Sequence, residues 1–160
     1  MRRTIITLTA TFALTAGGVA LWPADATEQG AQQPGQILLW HDAATVAEGA
    51  AIYEAQCAAC HGAALEGQAD WQVRQDNGRL PAPPHDRTGH TWHHPDAQLI
   101  DITTRGTAAI VGGGYQSDMM GFADILTEAQ IIAVLSYIKS TWPPEIIAIH
   151  NDINARAALP

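Results

Sequence analysis

Cys57 and Cys60 are the only cysteines in the 160-residue chain, and His61 follows directly. Cys57-Ala58-Ala59-Cys60-His61 is C-x-x-C-H, the attachment pattern of c-type haem. On one helical turn, thiols at i and i+3 lie on the same face. Two such thiols can add to the two vinyl groups of one porphyrin. The adjacent imidazole then lies under the ring plane and offers a nitrogen to iron. A thiol–disulfide oxidoreductase using Cys57 and Cys60 would need a strand before the motif, and it would leave His61 without a role. A zinc site combining Cys57 and Cys60 with His85 and His90 would need a gap far longer than zinc fingers use.

Iron in a haem usually takes a second axial ligand from elsewhere in the chain, and a thioether raises its potential relative to a second imidazole. Beyond Met1 the candidates are Met119 and Met120. Methionine most often fills core gaps. These two instead lie in a glycine-containing stretch just before a helix, away from any apolar helical face.

The elements that must position these groups are helical. Asp42 is a good N-cap for a helix running through Val46, Ala50, Tyr53 and Cys57, with apolar positions at intervals of three and four. This helix should end near Cys60-His61-Gly62. A short helix is expected from about Asp96 to Thr104, closed at Gly106. Thr127-Glu128-Ala129-Gln130 is a capping box that opens a helix with the stripe Ile131, Val134, Leu135 and Ile138. Trp142-Pro143-Pro144 stops it. Glu145 to Ala158 reads as a last, exposed helix. Residues 62–95 and 106–126 read as loops, and Gly112-Gly113-Gly114 suits close backbone approach to a flat ligand. No alternating strand pattern appears, so the class is mostly α.

The chain starts Met1-Arg2-Arg3 and continues uncharged to Ala24. Two positive residues before an apolar run mark a signal peptide, and Ala24-Asp25-Ala26 fits its cleavage pattern. The run is also about long enough to span a bilayer, so residues 1–26 are either a signal peptide or an N-terminal membrane anchor. Both place the rest outside the cytoplasm, where idle free thiols are not expected. Residues 27–41 form a Gly/Pro/Gln-rich linker whose apolar end, Ile37 to Trp40, can dock on the domain. Residues 42–143 make one domain, and 144–160 a helical C-terminal extension. Eight Lys+Arg against sixteen Asp+Glu give a formal charge of −8. Without residues 1–26 the balance is six against fifteen, or −9. Such a balance excludes a general nucleic-acid binder, which needs a basic face.

At this point the chain resembles a class I monohaem cytochrome c of bacterial periplasmic type. The resemblance rests on Cys57-Ala58-Ala59-Cys60-His61-Gly62, on Ser117-Asp118-Met119-Met120-Gly121-Phe122, and on the helix from Thr127 into Tyr137-Ile138-Lys139-Ser140. It covers residues 43–142. In such proteins the loop usually runs Met-Pro-Ala/Gly-Phe, so the resemblance implies Met119 on iron, with Met120 at the usual proline position. It implies one covalently attached haem c, with His61 and Met119 as axial iron ligands. It also implies that the helix near 43–59 crosses the helix near 128–141, and that a carbonyl of Pro81, Pro83 or Pro84 accepts the axial His Nδ1–H.

The His/Pro-rich loop holds further candidates. Trp92 can cover a haem face or bind a propionate, and Arg79 or Arg87 can pair with one. His85, His90, His93 and His94 read as loop residues making hydrogen bonds. Copper or zinc binding, or replacement of Met119 on iron, are the alternatives. The expected function is electron carriage, without catalysis, between redox proteins such as a respiratory complex, an oxidase or a periplasmic dehydrogenase. A haem-bearing redox subunit of an enzyme complex is the alternative. An acidic chain with one lysine favours a partner with a basic or apolar docking face.

Overall fold

The computed structural model describes residues 33–160. The segment read as a signal or anchor, and the start of the linker, lie outside the described residues. Six helices and one 3-10 turn follow, and the sole β-type pairing among the described residues is an isolated bridge between Gly106 and Met120. Among the described residues no helix is long and apolar enough to cross a membrane.

Helix α1 (Ala43–Gln56) opens on Asp42, whose Oδ1 accepts the Thr45 N–H and hydroxyl, each at 2.7 Å. Helix α5 (Glu128–Ser140) opens on the capping box, with Thr127 N–H to Gln130 Oε1 at 3.0 Å and Gln130 N–H to Thr127 Oγ1 at 3.3 Å. These two helices pack against each other more extensively than any other pair. They cross where the bare Cα of Gly49 faces the Ala133 carbonyl, with no room for a methyl group. Ile131, Val134, Leu135 and Ile138 fill the core beneath the crossing, with Tyr53 from α1 and Leu99 from α3 (Asp96–Arg105).

Three elements differ from the sequence expectation. The first helix does not run unbroken to His61. Cys57 (φ −118°, ψ −36°) ends α1, and a separate turn α2 (Ala58–His61) carries the second thiol and the imidazole. The stretch 106–126 is not all loop, because α4 (Thr107–Val111) starts directly after Gly106. Five residues are too few to show a helical period. Helix α6 (Pro144–Ala157) is not simply exposed: it buries Ile147, His150 and Asn154 on one face. Pro144 sits at its first turn, where the missing N–H costs nothing.

The polar half of that face has a definite target. Asp96, fully buried at the start of α3, accepts Ile37 N–H at 2.7 Å and Leu38 N–H at 2.9 Å through Oδ2. Asn154 meets the same carboxylate through Nδ2 at 2.8 Å. His150 Nε2 donates to the His94 carbonyl at 2.9 Å. Leu39 N–H reaches Ser136 Oγ at 2.8 Å. The strap 37–39 and α6 are thereby fastened to α3 and α5. Burying so many polar groups is tolerable because nearly all find partners.

Candidate haem site

Cys57 lies half-buried against the core, and Cys60 is exposed one helical turn on. No disulfide joins them. Burial, and then the neighbouring Cys60, push the Cys57 thiol up to about 11. Redox-active thiols have depressed values, so this environment disfavours the thiol–disulfide reading.

His61 closes α2 and is buried. Its Nδ1 lies 2.8 Å from the Pro83 carbonyl oxygen, which fixes that nitrogen as the N–H donor. Nε2 is then the lone-pair nitrogen, as a metal-bound imidazole requires. Burial lowers the His61 pKa, and the Pro83 bond opposes that shift in part. Of the three candidate prolines, Pro83 makes the contact. The carbonyl is delivered by a turn clamped at two points: Gln68 N–H to Ala82 O at 2.9 Å, and His85 N–H to Leu65 O at 2.8 Å. On the motif's own side, the Tyr53 hydroxyl donates to the carbonyl of Gly62, directly after His61, at 2.9 Å.

The methionine loop is held against the end of α3. Gly106 has φ +84°, and a Cβ there would stand 2.7 Å from the Gly121 nitrogen. A Cβ on Gly121 would meet Arg105 and Thr104 at the same range. Two bare Cα atoms therefore let the backbones touch. Thr107 N–H bonds the Met119 carbonyl at 3.3 Å, and Phe122 N–H bonds Thr103 O at 3.0 Å. Met119 packs, half-buried, against the same core as Cys57, whereas Met120 is 57% exposed. Gly112, Gly113 and Gly114 all have positive φ, and no protein atom lies within 4 Å of where their side chains would stand.

The remaining loop candidates take other partners. Arg79 pairs with Asp118, next to Met119. The Trp92 indole N–H donates to the Arg87 carbonyl at 3.2 Å, so the propionate contact expected of that N–H has a protein partner instead. His85 lies face to face with His61, ring centroids 4.0 Å apart and planes at 24°. Rings stacked side by side cannot sit on opposite sides of one iron, which excludes His85 as the ligand trans to His61. His90 lies 5.0 Å from the His93 ring and 4.8 Å from His94. Among the described residues, however, no group of three or more His, Cys, Asp or Glu side chains is arranged to hold a metal ion. The sequence shows Tyr53 only as an apolar position of the first helix and gives Thr91 no role. Thr91 is buried and binds His85 Nδ1 through its hydroxyl at 2.6 Å.

The donor set fits a covalently bound haem: two unbridged thiols on one helical turn, a buried imidazole with Nδ1 committed to a carbonyl, and a thioether carried into the same core. A helical fold built on the α1–α5 crossing around such a set defines a class I monohaem cytochrome c. A family model described as Cytochrome c matches residues 46–142, more than half of the chain, and the chain belongs to that family. Its cofactor is covalently attached haem c, one for the single C-x-x-C-H motif. Comparison with curated proteins and with solved structures gives no match.

Proposed function

We propose that this haem-based electron-transfer protein is an exported carrier that moves single electrons between redox proteins. Cys57 and Cys60 form its thioether anchors, and His61 and Met119 are its axial iron ligands. Residues 1–26 serve export or anchoring, 27–41 a linker, and 42–143 the haem domain, followed by the 144–160 extension. The site faces the periplasm, as the leader pattern of Arg2, Arg3 and the uncharged run to Ala24 suggests.

The observation that carries the reading is the 2.8 Å contact between His61 Nδ1 and the Pro83 carbonyl, directly after the two thiols. It holds the imidazole in the tautomer and direction an axial ligand needs. When bound, the haem supplies a one-electron couple. The chain's residues hold it, set the axial donors and keep water from the buried His61 side. Met119 is favoured as the thioether because it packs inward and Met120 does not. With His61 and Met119 both on iron, no position would be left there for a substrate, which favours carriage over catalysis.

Lys139 is the one lysine of the chain and is fully buried. The surface therefore presents no lysine, and its cations are arginines. A partner with a basic or mainly apolar face suits this acidic surface. Respiratory complexes, oxidases and periplasmic dehydrogenases are the partner classes proposed.

Denaturing electrophoresis with a haem stain, on protein matured in an export-competent host, tests the reading. Stain retained at one haem per chain, no titratable thiol and no rapid carbon monoxide binding are expected. Unstained protein with two free thiols would overturn it, and rapid carbon monoxide binding would remove Met119 from iron.

A further inference from the structure

A single hydrogen bond does not fix an imidazole plane, because the ring can still swing about the Nδ1···O axis. The Pro83 contact therefore sets where His61 points but not how its plane is turned. The second constraint in this structure is the ring of His85, lying flat on the His61 face at 4.0 Å.

His85 is itself held from several sides. Its Nδ1 is 2.6 Å from Thr91 Oγ1. Its N–H donates to Leu65 O at 2.8 Å, and its carbonyl accepts the Trp142 indole N–H at 2.7 Å. The Tyr53 ring stands edge-on to it, with centroids 6.2 Å apart and planes at 74°. A plate so anchored can transmit an orientation; a loose loop histidine could not.

We propose that His85 is a positioning residue for the axial imidazole, its ring setting the plane of His61 and Thr91 setting the plane of His85. The inference rests on His61 being an iron ligand. Orientation of an axial imidazole and its outer partners tunes the metal it binds. The effect should therefore appear in the electronic structure of the iron and not only in stability.

The test uses the full haem-loaded chain in the ferric state, with low-spin electron paramagnetic resonance and a midpoint titration at fixed pH. His85→Ala should shift the g-values and the midpoint potential while the haem stays covalently bound. Thr91→Val should shift the g-values in the same direction by less. His85→Phe, which keeps a flat ring on His61 but loses the Thr91 bond, should give g-values between those of wild type and of His85→Ala. Wild-type spectra and potential in His85→Ala, or a His85→Phe spectrum no closer to wild type than that of the alanine variant, would overturn the proposal. If His85→Ala fails to mature, Thr91→Val decides: a shift supports the role and an unchanged spectrum overturns it. Covalent haem without coupling of a histidine nitrogen to the ferric iron in the pulsed spectra of the wild-type protein would instead remove His61 as ligand, and the proposal with it.

Discussion

Asp96 and Asn154 hold each other by two reciprocal hydrogen bonds: Asp96 N–H to Asn154 Oδ1 at 2.7 Å, and Asn154 Nδ2 to Asp96 Oδ1 at 2.8 Å. Both residues are fully buried, and the pair is the polar rivet between α3 and α6. Asn154→Ala would leave the Asp96 N–H unsatisfied and remove one donor from the carboxylate, which still keeps Ile37 and Leu38. An orphaned buried group costs about 1–3 kcal/mol, so a loss of about 3 kcal/mol is expected in urea unfolding of the variant. Asp152→Ala, on the exposed face of α6, should change stability by no more than about 0.5 kcal/mol. Equal effects from the two would show that the rivet contributes nothing.

His150 makes this joint sensitive to acid. Nε2 donates to the His94 carbonyl, and Nδ1 is buried with no hydrogen-bond partner. Burial first, and then the Lys139 charge, lower its pKa below the ordinary value near 6.5, against the opposing pull of Asp96 and the His94 carbonyl. The unfolded chain therefore binds the proton more readily than the native one. The His150 contribution is intact above pH 6.5 and is lost as the pH falls through that value. Its slope is at most about 1.4 kcal/mol per pH unit. Unfolding measured at steps below neutrality should give a shallower pH dependence in His150→Gln than in wild type; parallel curves would exclude His150 as a source.

At the α1–α5 crossing, Gly49→Ala tests whether the haem scaffold depends on backbone contact. The new methyl would collide with the Ala133 carbonyl and the Tyr137 Cβ, neither of which is the end of a flexible side chain. Overpacking of this kind typically costs about 1–3 kcal/mol. Thermal unfolding of the haem-loaded protein should show that loss. A variant as stable as wild type would mean that the helices separate easily there.

The readable parts of this fold were those with a local chemical cause. Asp42, the Thr127–Gln130 box and the Pro143-Pro144 stop each act within a few residues, and the helices begin and end close to where those residues put them. The motif Cys57 to His61 was equally plain, because its spacing is its chemistry. What stayed hidden depends on long-range contact. Nothing near Pro83 distinguishes its carbonyl from those of Pro81 and Pro84; only the turn tied at Ala82 and His85 selects it. His85 sat in a histidine-rich loop with no period to show that it stacks on His61, twenty-four positions earlier. The buried face of α6 was missed because its polar members, His150 and Asn154, look solvent-facing until Asp96 is brought beneath them.

The choice between adjacent methionines brings these levels together. The Gly106–Gly121 contact pins the loop at the end of α3, and Thr107 N–H holds the Met119 carbonyl. With that backbone fixed, successive side chains diverge: Met119 goes to the core and Met120 to solvent at 57% exposure. Met119→Ala should abolish the Met–iron charge-transfer band of the oxidised protein, lower its midpoint potential and open the iron to carbon monoxide. Met120→Ala should leave the band in place, with a stability change within about 0.5 kcal/mol. Gly121→Ala should weaken the band without removing a ligand, since a Cβ there would stand 2.7 Å from backbone atoms of Thr104 and Arg105 and push the loop off α3. Loss of the band in Met120→Ala alone would put the ligand one residue later. Absence of the band from the oxidised wild-type protein would exclude both methionines as the axial donor, leaving the iron's second ligand to a residue of another type.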